Sequence, residues 1–163
     1  MRTADIELVL AHHFDYRRNV IIPNVFWGMG LYYEADVVVL MHSDYAYEVE
    51  IKVSASDLVR DAKKRHHHDS NLFRETWFAV PEKLSTHSAI PENAGILAII
   101  GDKESGFYVK TIKRGRVNKM AKKWTTEQKL KLMSLGILRI WTLKEKLLKL
   151  REKARMKSEP ADA

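Results

Sequence analysis

Residues 34–57 read EADVVVLMHSDYAYEVEIKVSASD, and the fold turns on how this stretch is folded up. From Tyr45 to Val53, the apolar Val49, Ile51 and Val53 alternate with Glu48, Glu50 and Lys52. A strand sends successive side chains to opposite faces. Two carboxylates and an ammonium therefore share one face, and the branched apolar residues enter a core. Asp36 to Met41, rich in Val, predicts a second strand, and His42-Ser43-Asp44 has turn composition. If the three-residue turn is centred on Ser43, paired residues have numbers that sum to 86, which sets Asp36 opposite Glu50; a register slipped by one residue breaks that pairing. Like charges facing each other across a sheet are destabilising. A hard divalent cation would convert that repulsion into coordination, because magnesium is held by one or two carboxylates and keeps several waters. The bland alternative is a solvated sheet face that happens to carry charge.

The chain has 163 residues, the size of one domain, with enough apolar content for a core. It has no cysteine, which excludes disulfides and thiolate-bound zinc. No apolar run is long enough for a membrane span and the first residues do not form a signal peptide. The expectation is a soluble cytoplasmic protein with no membrane partner. The charge is unevenly placed: residues 1–109 carry 11 basic and 16 acidic residues, and 110–163 carry 17 basic and 5 acidic. An acidic cluster in one part and a basic final third suit a polyanionic partner and metal-dependent chemistry. For the last twenty residues alone, a solvated Lys-rich helix is the simpler reading.

Upstream of the hairpin, residues 3–14 predict a helix capped by Thr3, with Ile6, Val9, Leu10, His13 and Phe14 on its buried stripe. Glu7 flanks that stripe. It is an ordinary helix-flank acid unless the helix lies against the hairpin. Asn19 to Ile22 predicts a strand stopping near Pro23. The glycine-rich NVFWGMGLYY that follows completes neither dinucleotide nor Walker spacing, and either approaches a nucleic acid strand or is a packed connection.

Downstream, Ser54 with Asp57 resembles a capping box opening a helix, with Leu58, Val59 and Ala62 as a narrow apolar face. Lys63, Lys64 and Arg65 then give a basic segment suited to phosphate contact. His66, His67 and His68 point about 100° apart on a helix and cannot all grip one ion. Thr76–Val80 predicts a strand ended by Pro81, Gly95–Ile100 a fully buried strand, and Phe107–Ile112 an edge strand. Lys113, Arg114, Arg116, Lys119, Lys122 and Lys123 form a basic connector, the best candidate for contacts to a nucleic acid backbone. Trp124 beside it either stacks on a base or staples a helix. From Thr125 the chain predicts a helix with Leu130, Met133 and Leu132 turned inward and Gly136 as a weak point. The apolar residues from Ile137 to Leu150 serve packing or a homodimer. Residues 1–112 thus read as a core and 113–163 as a basic helical extension packed on it, one domain in all.

Asp36…Glu50-Ile51-Lys52 resembles the D…(D/E)-x-K motif of the restriction-endonuclease-like, PD-(D/E)XK nuclease superfamily. The order helix–strand–strand–strand–helix–strand is similar to its common core. EIKVSASDLVRDAKK, WFAVP and AGILAI resemble more narrowly the MmcB-type DNA-repair group and related phage or bacterial nucleases. The resemblance covers about residues 3–100. Ala35 stands where the motif has proline.

The resemblance implies an α/β fold, a central mixed sheet flanked by helices. It also implies a magnesium- or manganese-dependent deoxyribonuclease of repair, recombination or phage DNA processing, sited at the nucleoid or in an infected host cell. By residue, it implies that Asp36 and Glu50 are metal ligands, that Ile51 contributes its carbonyl, and that Lys52 orients or activates the attacking water. Glu7 would bind a second ion or reach it through water. Phosphodiester hydrolysis suits such a set, since cations held by carboxylates lower the pKa of bound water and stabilise charge on the phosphoryl oxygens. Two rivals remain open: a catalytically inactive DNA-binding protein on the same fold, and a metal-dependent phosphatase of small molecules.

Overall fold

The computed structural model describes residues 1–26, 31, 33–62 and 71–158. Helix α1 (Thr3–His13) is followed by strands β1 (Val20–Val25), β2 (Ala35–Leu40) and β3 (Ala46–Ile51), then helix α2 (Ala55–Ala62) and strand β4 (Phe73–Pro81). A single 3-10 turn at Glu82–Leu84 leads to β5 (Gly95–Asp102), β6 (Gly106–Lys113) and a long helix α3 (Thr126–Ser158). The six strands form one mixed sheet in sequence order, antiparallel except for β3–β4 and β4–β5, which are parallel. The fold is thus α/β, a mixed sheet flanked by helices.

The hairpin has the register that its turn composition predicts. Val37 pairs with Val49, Val38 with Glu48, Val39 with Tyr47 and Leu40 with Ala46. The Met41 N–H donates to the Tyr45 carbonyl at 2.9 Å, closing a three-residue loop in which Asp44 takes a left-handed φ of 69°. Aspartate tolerates that conformation better than most residues. Every side chain of β2 and β3 is then committed to one face.

One face packs under α1. Ile6 and Leu10 join Val37, Val39, Val49, Ile51, Trp77, Ala79, Leu97 and Ile99 in a buried cluster. The opposite face carries two clusters. Val38, Leu40, Ala46 and Phe73 lie under Trp124 and Leu132 of the C-terminal part, while Phe78 and Val80 lie against Leu58 of α2. Glu48, Glu50 and Lys52 point to this second face, between its two apolar clusters, and all three are buried.

Three boundary expectations and one of facing are corrected. The cap of α1 is Arg2, not Thr3, with Asp5 accepting from the Arg2 N–H at 2.8 Å. Strand β1 runs through Pro23 to Val25, because an edge strand loses no ladder bond on its outer side when an N–H is missing. Helix α3 continues through Gly136 to Ser158. Its inward residue is Leu132, fully buried, whereas Leu130 and Met133 are exposed. Gly136 sits where α3 meets β1: a Cβ there would come within 2.5 Å of Ile22 Cδ1.

Beyond that contact Arg139 still donates to the Asn24 carbonyl of β1, but Ile137, Leu138, Ile140, Trp141, Leu143, Leu147, Leu148 and Leu150 are about half exposed or more. No described helix is long and apolar enough to cross a membrane.

Candidate active site

Asp36 is the second residue of β2, Glu50 the second-last of β3 and Lys52 the first residue beyond it, so the hairpin register brings the three together at one end of the strand pair. Glu50 Oε2 accepts from Lys52 Nζ at 2.5 Å, and Asp36 Oδ2 lies 3.5 Å from the same nitrogen. Asp36 Oδ2 also accepts the Ile51 N–H at 2.8 Å. Ile51 therefore meets Asp36 through its amide hydrogen, and that bond fixes the carboxylate against the edge of β3. The Lys52 N–H in turn donates to the Ala79 carbonyl at 3.1 Å, which extends the β3–β4 pairing past Ile51 and holds the lysine's backbone.

A fourth charged residue completes the group. Asp61, near the end of α2, places Oδ1 3.4 Å from Lys52 Nζ. The ammonium thus lies between two carboxylates of the sheet and one of the helix, and the Lys52 and Asp61 side chains are only 7% and 10% exposed. The sequence reading missed Asp61. A usable signal was present: Leu58, Asp61 and Ala62 share one helix face, so an acid stood on the narrow stripe that had to turn inward. Ser54 caps this helix by accepting the Asp57 N–H at 3.2 Å, and Asp57 itself pairs outward with Arg60 at 2.7 Å.

Glu48 lies two residues before Glu50 on the same face and is fully buried. Thr76 donates to it at 3.3 Å. Burial, then the charge of Glu48 and a hydrogen bond to it, push the Tyr33 phenol far above its ordinary value.

The electrostatics follow from too many acids around one ammonium. Burial pushes Glu50 up from 4.5 to about 7, the charges of Asp36 and Glu48 add to this, and Lys52 pulls it partly back. Burial alone would lower Lys52. The carboxylates of Glu50, Asp36 and Asp61 outweigh it and hold the ammonium well above its ordinary value.

Whether a divalent cation suits this group can be tested on the donors. Glu50 Oε1 is buried and accepts no hydrogen bond from any described residue, a costly condition for a charged oxygen. Asp36, at 32% side-chain exposure, opens the group to solvent on one side. Among the described residues no three Asp, Glu or His side chains form a ready-made metal cage. The acids are instead drawn around Lys52. Magnesium needs only one or two carboxylates and completes its shell with water, so the donor set fits a hard cation at Asp36 and Glu50.

Other expected site residues are placed elsewhere. Glu7 sits on α1, which covers the sheet face opposite Glu50. It lines a groove of about 860 Å³ between β1 and α3, with Pro23, Asn24, Ile140 and Lys146 also on its walls. Lys113, Arg114, Arg116, Lys119, Lys122 and Lys123 are all exposed. The segment that carries them crosses the starting ends of β4 and β5: the Arg116 N–H donates to Asn93, that of Asn118 to Arg74 and that of Lys122 to Asn71. From Arg74 to Phe78, the strand neighbour of Glu50, is four residues, about 13 Å along a strand. The basic connector and the acidic cluster thus lie toward opposite ends of the same strands. Lys63, Lys64 and Arg65 lie outside the described residues, as do His66, His67 and His68.

Trp124 is buried. Its Nε1 donates to the Leu72 carbonyl at 2.8 Å and its ring packs beside Phe73. Trp124 is thus a core residue that pins the connector to the sheet and is closed to a base.

No family model matches this sequence and no curated protein is similar to it. A solved structure of a protein of unknown function from Silicibacter pomeroyi is similar in fold, with a TM-score of 0.59 at 16% identity over 99% of this chain and 95% of that one.

Proposed function

We propose that this chain is a divalent-cation-dependent nuclease acting on DNA, built on a restriction-endonuclease-like core. The observation that supports it most is the meeting of Asp36, Glu50 and Lys52 on one face at the end of adjacent antiparallel strands, with Glu50 Oε1 buried and accepting no hydrogen bond from any described residue. Asp36 and Glu50 would hold magnesium or manganese. The bound ion would supply Lewis-acid polarisation of a phosphoryl oxygen and a more acidic water. Asp36 is oriented for this by the Ile51 N–H, and Glu50 by Lys52. Lys52 keeps its proton, so its part is to hold an attacking water or to stabilise charge developing on phosphate oxygens. The exposed lysines and arginines of residues 113–123 would neutralise backbone phosphates some way along the strand direction, positioning the polymer without reading its sequence.

A second reading, a DNA-binding protein on the same fold that does not cut, is favoured by one observation. Lys52 already pairs with each of its carboxylate neighbours, so the group is held together without a cation. Plasmid, single-stranded and branched DNA, each incubated with magnesium, manganese or EDTA, separate the two. The nuclease reading expects cation-dependent cutting that Asp36→Asn and Glu50→Gln abolish. Cutting at the parent rate by both variants, or none by the parent on any substrate, refutes it.

A further inference from the structure

Lys52 has three possible carboxylate partners, and they come from different elements. Glu50 and Asp36 belong to the sheet at 2.5 and 3.5 Å, and Asp61 belongs to α2 at 3.4 Å. The side chain is 7% exposed, so the ammonium cannot retreat into water. It is confined among these acids. A divalent cation held by Asp36 and Glu50 would repel a neighbouring ammonium strongly at such separations. The lysine must then give up its sheet partners while remaining in the cluster, and Asp61, at 3.4 Å and outside the ligand pair, is the acid already beside it.

We propose that Asp61 is a positioning residue, the second anchor of Lys52, onto which the ammonium moves when a divalent cation takes Asp36 and Glu50. The inference rests on the reading of those two acids as cation ligands. Two consequences follow from the geometry. Without a cation, Lys52 stands in for it and keeps the like-charged sheet face folded. With one, Asp61 retains Lys52 beside the ligands, in reach of a phosphate, instead of letting it compete for Glu50. Asp61 therefore governs how easily the site exchanges its own ammonium for a metal ion, although it touches neither metal nor substrate.

The alternative is that Asp61 merely ties α2 to the sheet, or that it draws cations by its charge alone. Calorimetric titration of the full chain with manganese and with magnesium, without DNA, separates these. In the parent background Asp61→Asn leaves Lys52 only its sheet partners, and cation affinity is expected to fall at least about tenfold, or about 1.4 kcal/mol. Asp61→Glu, which keeps an acceptor for the ammonium, is expected to restore affinity to within about twofold to threefold. In a Lys52→Met background, where no ammonium competes, Asp61→Asn should leave affinity unchanged. Equal loss in both backgrounds would mean that Asp61 acts through its field and would overturn the proposal, as would parent-like affinity in Asp61→Asn.

If Lys52→Met does not fold, the pair Asp61→Asn and Asp61→Glu decides: failure of the Glu variant to recover affinity overturns the anchor. A parent protein that binds neither ion fails the ligand reading itself, and the proposal falls with it. That result is distinct from a parent that binds and an Asp61→Asn that binds equally well.

Discussion

Glu50 offers the sharpest test of the electrostatics, because its expected stability effect has an unusual sign. Its carboxyl is 4% exposed and held near 7, against an ordinary 4.5. Between those values the folded chain binds a proton that the unfolded chain has released. Stability must therefore fall as pH rises through that window. At about 1.4 kcal/mol per pH unit, the gap amounts to about 3 kcal/mol at pH 8, an upper figure once relaxation around the site is allowed for. Glu50→Gln replaces the ionised acid by a neutral isostere. It should stabilise the cation-free protein by roughly 1–3 kcal/mol at pH 8, a rise of about 2–10 °C in Tm for a chain of this size. At pH 4.5 the two proteins should melt together. Other groups titrate in the same range: burial lowers His13, which makes stability fall as pH drops, opposite to Glu50. The difference between parent and variant cancels such terms. The assay is thermal unfolding from pH 4.5 to 8.5 in EDTA, repeated with magnesium, which should raise the parent's Tm and leave the variant's unmoved. A variant less stable than the parent at pH 8 would refute the reasoning, since it would mean that the Lys52 pair outweighs burial and the neighbouring acids.

Gly95→Ala should destabilise the fold by about 1–3 kcal/mol, the usual penalty for overpacking, because the new Cβ would fall on the buried Trp77 ring, 2.5 Å from Cδ2 and 2.7 Å from Cζ3; urea unfolding reads this directly. Leu143→Glu with Leu147→Glu should leave the unfolding free energy within about 0.5 kcal/mol of the parent, since these side chains are 64% and 48% exposed, and should raise solubility. A parent Tm that climbs with protein concentration, and a variant Tm that does not, would instead show that this helix face is buried in a homodimer. Replacing Lys119, Lys122 and Lys123 by Ala should weaken DNA binding and flatten its salt dependence by about three phosphate equivalents, while single-turnover cutting at saturating protein stays near the parent rate because the connector lies away from the acids. A slope equal to the parent's, measured by anisotropy from 50 to 300 mM salt, would make that segment an ordinary solvated surface.

The parts that were legible in the sequence are those that local rules determine. The hairpin register followed from the turn composition around Ser43, and a slip of one residue would have turned Asp36 to the face opposite Glu50 and Lys52. That register alone brought Asp36, Glu50 and Lys52 together. What alternation could not supply was the third dimension of the same face. Glu48 was legible as a neighbour of Glu50, but its complete burial depends on how the two apolar clusters close around it, which is a matter of packing. Asp61 reaches Lys52 only because α2 lies back across the end of β3, an angle set by Leu58 against Phe78 and Val80. Pro23 misled because its effect depends on whether a strand lies at an edge, and strand order is not a local property. The residues from Ile137 to Leu150 could not be told from core residues, since an apolar helix stripe carries the same periodicity whether its cover is the same chain or another one.

The site itself departs from the local rules. A sheet face with buried Glu48 and Glu50, and Asp36 beside them, is a poor choice for stability alone. Apolar residues in their place would remove the repulsion and extend the clusters on either side. Local rules that fail at one place, in a sheet that otherwise obeys them, mark where a fold has been shaped by something besides folding. Here the departure is confined to the ends of β2 and β3 and to the one turn of α2 that faces them. The single buried ammonium is the least compensation that keeps such a face closed. On the proposed reading, that partial match suits a cation site, since a cluster fully matched in charge would have no affinity to spare.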